Sequence, residues 1–186
     1  HLPLIKKNQG VIYFGTLFDV ECFINDYKLV MGTDENPKIN ESYTDKWGAT
    51  YVIRISNKLS NMLRNIDGVI TGKKVTNIRN IPIFLLEENC PKSVIREFLG
   101  GLFGGDGHSP RLDIRKGRRT CIDSVKFSWT TQQINIDMLK KVFDNIKFLL
   151  EKVNVKNTYI NGPYVTSSGP KDRLYYRMNL ASNTDF

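Results

Sequence analysis

Asp106 ends a glycine-rich run, Val94-Ile95-Arg96-Glu97-Phe98-Leu99-Gly100-Gly101-Leu102-Phe103-Gly104-Gly105-Asp106-Gly107, whose pattern predicts a buried helix. A carboxylate is unfavourable there, because a helix C-terminus carries partial negative charge. The four glycines before it cost about 0.8–1 kcal/mol each relative to alanine, or ~3–4 kcal/mol together. Residues placed against local preference are expected at functional sites. Gly101 and Gly105 share one helix face, and small residues at that spacing let two helix backbones approach closely. The run therefore predicts a tight helix pair that delivers an acidic group to a shared site, with Gly107 as the helix stop. His108 could line that site, although a loop histidine without a catalytic role is the simpler reading.

The second chemical signal is positive charge. The 186 residues carry a net charge of +8 and a pI near 9.4, which points to a polyanionic partner, nucleic acid first. No apolar run approaches the ~18–20 residues needed to span a membrane, and no signal peptide is visible. The odd count and wide spacing of Cys22, Cys90 and Cys121 argue against a disulfide framework or a zinc site. Buried free thiols in a reducing compartment are expected instead. The two histidines, His1 and His108, cannot form a metal cluster alone.

The elements that must position these groups read as an α+β fold that repeats weakly at roughly 85 residues. Apolar Val11–Glu21 opens the first unit, followed by strand-like Tyr27–Val30 and a strand over Ala49–Ile55. Leu59, Met62 and Leu63 mark a helix that Ser56 or Asn57 can cap. A short basic hairpin is expected around Gly72-Lys73-Lys74. In the second unit, hairpin strands over Arg111–Lys116 and Asp123–Trp129 precede a clear helix. Its apolar stripe is Ile136, Leu139, Val142, Phe143, Ile146, Leu149 and Leu150, with Asn135 as cap. Strands over Thr158–Val165 and Arg173–Leu180 follow, and one more helix is expected beyond Phe186.

At this point the residues match a family signature. Leu99-Gly100-Gly101-Leu102-Phe103-Gly104-Gly105-Asp106-Gly107 resembles the nine-residue motif of the LAGLIDADG homing endonucleases, departing at Gly104, where that family usually has aspartate. Phe14-Gly15-Thr16-Leu17-Phe18-Asp19-Val20-Glu21-Cys22 resembles the first copy of the motif, with Glu21 in the acidic position and Thr16 and Cys22 in place of glycines. Arg79-Asn80-Ile81-Pro82-Ile83-Phe84-Leu85 is similar to the approach to the second motif in endonuclease domains carried inside inteins. The resemblance implies a pseudo-symmetric monomer of two αββαββ-type halves, 1–92 and 93–186. Their motif helices, at about 11–21 and about 94–106, would pack at the centre through Gly15, Thr16, Gly101 and Gly105. The antiparallel sheets would form a saddle over DNA.

The implied activity is sequence-specific, metal-dependent cleavage of both strands of double-stranded DNA at a long, nearly palindromic site. Two neighbouring carboxylates repel unless a cation lies between them, and hard oxygen ligands favour Mg2+, with Mn2+ as a substitute and Ca2+ supporting binding without cleavage. Glu21 and Asp106 are the expected metal ligands, with Asp19 the rival to Glu21. Arg79, with Lys171 or Arg173 in the second half, would stabilise developing negative charge, and Gln132 would position a water or touch a phosphate. Two-stranded ribbons fit the major groove. The expected DNA-contacting residues are therefore Arg111, Arg115, Lys116, Arg118, Arg119, Lys126 and Arg173, with Lys28, Lys46, Arg54 and Lys58 in the first half. Trp47 and Trp129 read as packing residues. The rival readings are an intron maturase that binds RNA and a DNA-binding module without cleavage. The compartment expected is intracellular, wherever the target genome lies. The chain lacks recognisable self-splicing ends, so an intein reading concerns origin only.

Overall fold

A computed structural model describes residues 4–5, 9–44, 48–69, 72–108, 112–113, 121–122, 124–167, 170 and 172–180. Contacts divide the chain into two compact units, His1–Asn77 and Ile78–Phe186. The fold is α+β with antiparallel sheets, as the sequence predicts.

In the first unit, β1 (Leu4–Ile5) and β2 (Gln9–Phe14) precede α1 (Leu17–Met31), and β3 (Lys38–Thr44), β4 (Gly48–Arg54) and α2 (Asn57–Arg64) follow. The sheet order is β1-β2-β4-β3, antiparallel throughout. Two expectations are corrected here. The helix expected at about 11–21 starts at Leu17, because Val11–Phe14 is taken up as a strand paired with Tyr51–Arg54. Thr16 fixes the start: its hydroxyl accepts the Asp19 N–H at 3.2 Å and donates to the Asp19 carboxylate at 2.7 Å, a capping arrangement worth about 1 kcal/mol. Tyr27–Val30, expected as a strand, is the end of the same helix, which stops at Gly32 in the left-handed region (φ 62°). The α1 residue Val20 packs with Ile53, Ile55 and Leu59 in the unit's core. Ser56 caps α2 as predicted, its hydroxyl accepting the Leu59 N–H at 3.2 Å. Residues 72–77 form a turn rather than a hairpin, with the N–H groups of Thr76 and Asn77 donating to the Lys73 carbonyl.

The second unit begins with an extended segment and a 3-10 turn (Ile83–Leu86) that leads to α3 (Lys92–Asp106). Against the boundary at 92/93 expected from sequence, Ile81 and Leu85 pack into this unit's core. Then come β5 (Gly107–His108), β6 (Leu112–Asp113), β7 (Cys121–Ile122), β8 (Val125–Gln132), α4 (Ile136–Lys152), β9 (Thr158–Val165) and β10 (Arg173–Leu180). The main sheet runs β5-β8-β10-β9, and β6 pairs with β7 alone. The last helix and the last two strands fall where the sequence places them. Asn135 precedes α4 without a side-chain cap bond, which corrects the expected cap.

The apolar stripe of α4 is buried against one face of this sheet, with Leu139, Val142, Phe143 and Ile146 at 0% exposure. At the centre is Phe127 of β8, whose ring lies 5.4 Å from Phe103 of α3, 5.5 Å from Phe143 of α4 and 6.2 Å from Trp129. Trp129 is thus a packing residue, as expected; Trp47 lies outside the described residues. Cys90 is half-buried, but Cys22 is exposed on α1, correcting the expectation of buried thiols.

Element order separates the two units. With β5–β6 and β7–β8 taken as the two arms of one hairpin, the second unit reads αββαββ, the order expected for both. The first reads ββαββα, because its flanking strand β2 comes before the helix instead of after it. Because Phe127 joins α3, α4 and the sheet, Phe127→Ala is expected to lower stability by about 3–5 kcal/mol, read as a fall in the urea midpoint of the second unit's transition.

Candidate nucleic-acid interface

Alternation along a strand sends successive side chains to opposite faces of a sheet, so register assigns the outward face of the second unit. Phe127, Trp129 and Thr131 of β8 and Leu174, Tyr176 and Met178 of β10 alternate with residues facing away from α4. His108 stands opposite Lys126, and Lys126 opposite Asn179. The next row is Ser128, Arg177 and Asn161; then Thr130, Tyr175 and Tyr164; then Gln132 and Arg173. The face is therefore built from cations, amides, hydroxyls and tyrosine rings, with no acidic side chain on these rows of the described strands.

At one end of this face lies an open pocket of about 380 Å³, lined by Asp106, Gly107, His108, Lys126, Ser128 and Arg177. Its geometry follows from the helix–strand junction. Helix α3 ends at Asp106, and the next residue is already paired in the sheet opposite Phe127. Gly107 is required at that step because a Cβ there would lie 2.2 Å from the Phe103 carbonyl oxygen. The helix stops at Gly107 as the sequence predicts, with the backbone there extended (φ −84°), so the requirement for glycine is close approach. Asp106 is exposed.

The expected site residues are distributed as follows. Asp106, Lys126, Gln132 and Arg173 lie on the second unit's sheet or at its edge. Glu21 is exposed in the second turn of α1, so the expectation that each motif helix brings a carboxylate to its C-terminal end is corrected for the first helix. Asp19 is engaged in the N-cap. Lys28 and Lys58 are on helices α1 and α2, not on strands. Arg54 does stand on a strand, opposite Lys38, which sequence reasoning missed. Arg79 is exposed in the extended segment before α3. That segment is tied down by Asn80, whose side-chain carbonyl accepts from Asn145 of α4 at 2.6 Å and from the Ile81 N–H at 3.0 Å. Lys46, Arg111, Arg115, Lys116, Arg118, Arg119 and Lys171 lie outside the described residues.

Thr16 is the N-cap of α1, and within its own unit a Cβ at Gly15, Gly101 or Gly105 would meet no side chain. Gly100 and Gly104 are equally open. Among the described residues no three His, Cys, Asp or Glu come together as a metal-binding set. Asp106 supplies the one carboxylate in the lining of the pocket. No helix among the described residues is long and apolar enough to cross a membrane.

The outward-facing residues missed from sequence are Arg177, Tyr175, Tyr164, Asn161 and Asn179. Their alternation within β9 and β10 is visible in the sequence, but their grouping depends on pairing between distant strands.

No protein-family profile matches the chain. A replication factor C small subunit of Methanocaldococcus jannaschii is 36% identical over 110 residues, covering 59% of this chain and 6% of that protein. This relative overturns the expectation of a homing endonuclease of intein or intron origin, because its name is that of a replication factor. The homing role is withdrawn, together with the maturase alternative.

Two substitutions, one in α3 and one at the residue after it, test the junction by opposite signs. Gly104→Ala, which adds a methyl into open space, is expected to raise stability by about 0.8–1 kcal/mol through helix propensity. Gly107→Ala must displace backbone and is expected to lower stability by more than ~1 kcal/mol. Thermal unfolding of the two variants beside the parent chain reads both.

Proposed function

We propose that this chain binds double-stranded DNA across the outward face of the β5-β8-β10-β9 sheet. The observation that carries the reading is the composition of that face: Lys126, Arg173 and Arg177 interleaved with amides and tyrosines, and no carboxylate in the rows between them. Cations that neutralise phosphates release counterions, which supplies affinity independent of sequence. Amide and guanidinium groups can address base edges. The net charge of +8 agrees with such a partner, and so does the name of the relative, a replication factor subunit.

Within this reading Asp106 is placed to hold a divalent cation against a bound phosphate, with Mg2+ the expected ion. The enzymatic part of the proposal is magnesium-dependent hydrolysis of a DNA phosphodiester. It concerns chemistry at the pocket and makes no claim of a homing role. A bound ion of this kind activates water and offsets charge at the phosphate, while Lys126 would hold the phosphate beside it. Kinship of 99–107 with the LAGLIDADG signature is proposed at the level of sequence and helix, and a saddle formed by two pseudo-symmetric halves of one monomer is the corresponding architecture.

The test is fluorescence anisotropy on a labelled random-sequence duplex over a range of salt. Binding is expected to weaken linearly on a log–log plot, and Lys126→Ala or Arg173→Ala to reduce the slope by about 0.9 each. Binding insensitive to salt, or preference for an RNA hairpin of equal length, would overturn the DNA reading. Incubating plasmid with Mg2+, Mn2+ or Ca2+ tests hydrolysis. Conversion with Mg2+ that disappears in Asp106→Asn supports it, and intact plasmid under all three ions removes the enzymatic part alone.

A further inference from the structure

We propose that Arg177, seated on the ring of Tyr175, reads a guanine in the major groove of bound DNA; this inference rests on the DNA reading above. Arg177 is exposed on the outward face, and its guanidinium carbon lies 5.7 Å from the centre of the Tyr175 ring. Tyr175 is itself braced by Tyr164 on the neighbouring strand, ring centres 5.3 Å apart at 43°.

The brace depends on a local irregularity. The register of β9 against β10 shifts between Tyr175 and Arg177, so Tyr164 falls opposite Tyr175 while Asn161 falls opposite Arg177. The extra residue is accommodated at Gly162, whose φ of +128° and whose Cβ position 2.8 Å from the Tyr175 carbonyl oxygen leave no room for a side chain. A bulge of this kind re-aims side chains on its strand. Here the result is a pair of tilted rings with a guanidinium over one of them at cation–π distance.

The cation–π contact restricts where the guanidinium can go. A guanidinium is planar and carries its N–H donors at its edges, pre-organised in a fork. Among the described residues no hydrogen bond or ion pair draws on those donors. Any cation can neutralise a phosphate, and a flexible lysine does so as well as an arginine. An oriented fork with its donors unspent matches the paired acceptors O6 and N7 of guanine, the commonest specific contact in the major groove. Lys126, which lacks the planar fork, is assigned a charge contact with phosphate.

The experiment is selection of bound duplexes from a randomised pool by the full chain, followed by sequencing. The parent chain is expected to enrich guanine at one position by about 5- to 150-fold, equivalent to ~1–3 kcal/mol for a bidentate pair. Arg177→Lys should keep the salt dependence and lose that enrichment. Tyr175→Phe should retain it, and Tyr175→Ala should weaken it. Circular dichroism of each variant verifies the fold. Guanine enrichment that survives Arg177→Lys overturns the inference, as does a parent chain that binds DNA with no positional preference. Uniform weakening across all sequences in Arg177→Ala would make Arg177 a phosphate contact and overturn the inference while the DNA reading stands. Failure of the parent chain to retain any duplex overturns both.

Discussion

The step from Asp106 to Gly107 is the constraint on which the second unit depends. A helix gives way to a paired strand within one peptide, and the sheet begins opposite Phe127. This is possible only where the carbonyl of Phe103 can sit 2.2 Å from the place a Cβ would occupy. The same Phe103 stacks on Phe127 from the other side of the junction. Backbone proximity and ring packing therefore fix one point twice. Asp106 is carried to the rim of the pocket, and His108 is locked in register with Lys126. A longer connection would free the register, and a shift of one residue would exchange the inner and outer faces of β5.

From that point the sheet sorts its side chains by alternation alone. The inner face collects Phe127, Trp129, Tyr176 and Met178 against α4, where burial of each large side chain contributes about 1.5–3 kcal/mol. That stabilisation leaves the outer face unconstrained by packing, so its polar composition has no structural explanation within the unit. The Tyr164–Tyr175–Arg177 cluster is a separate feature, since it needs the strand irregularity at Gly162. The first unit reaches a similar central hairpin by another order of elements, with β2 entering from before the helix.

How much of this was legible in the sequence varies with the range of the interaction. Helix α4 is legible because its stripe repeats over seventeen residues, and β9 and β10 because turn residues bound them. Helix α1 was misread because Val11-Ile12-Tyr13-Phe14 is apolar without a period, which suits a strand and a buried helix equally. The local signals that settle it, Thr16 three residues before Asp19 and Gly32 at the far end, were present in the chain. Tyr27–Val30 misled because Leu29 and Val30 are apolar yet 83% and 59% exposed. The pocket and the outward rows were not legible, since Lys126 and Arg177 meet only through the pairing of β8 with β10. Identity of residue types, by contrast, carried Asp106 and Lys126 directly.

Magnitudes limit what the described sheet can do alone. Lys126, Arg173 and Arg177, if all three met phosphates, would give a salt slope of about −2.7. Specific DNA-binding proteins draw on more contacts than that, so three cations on one sheet would support weak association only. On the proposed reading the remaining charge must come from residues outside these rows, and the sequence carries five cations from Arg111 to Arg119. Using Arg177 for a base edge, as inferred, lowers the sheet's own phosphate count to two and increases that dependence. Affinity would then rest on charges outside these rows, and discrimination on the one guanidinium that lies over a tyrosine ring.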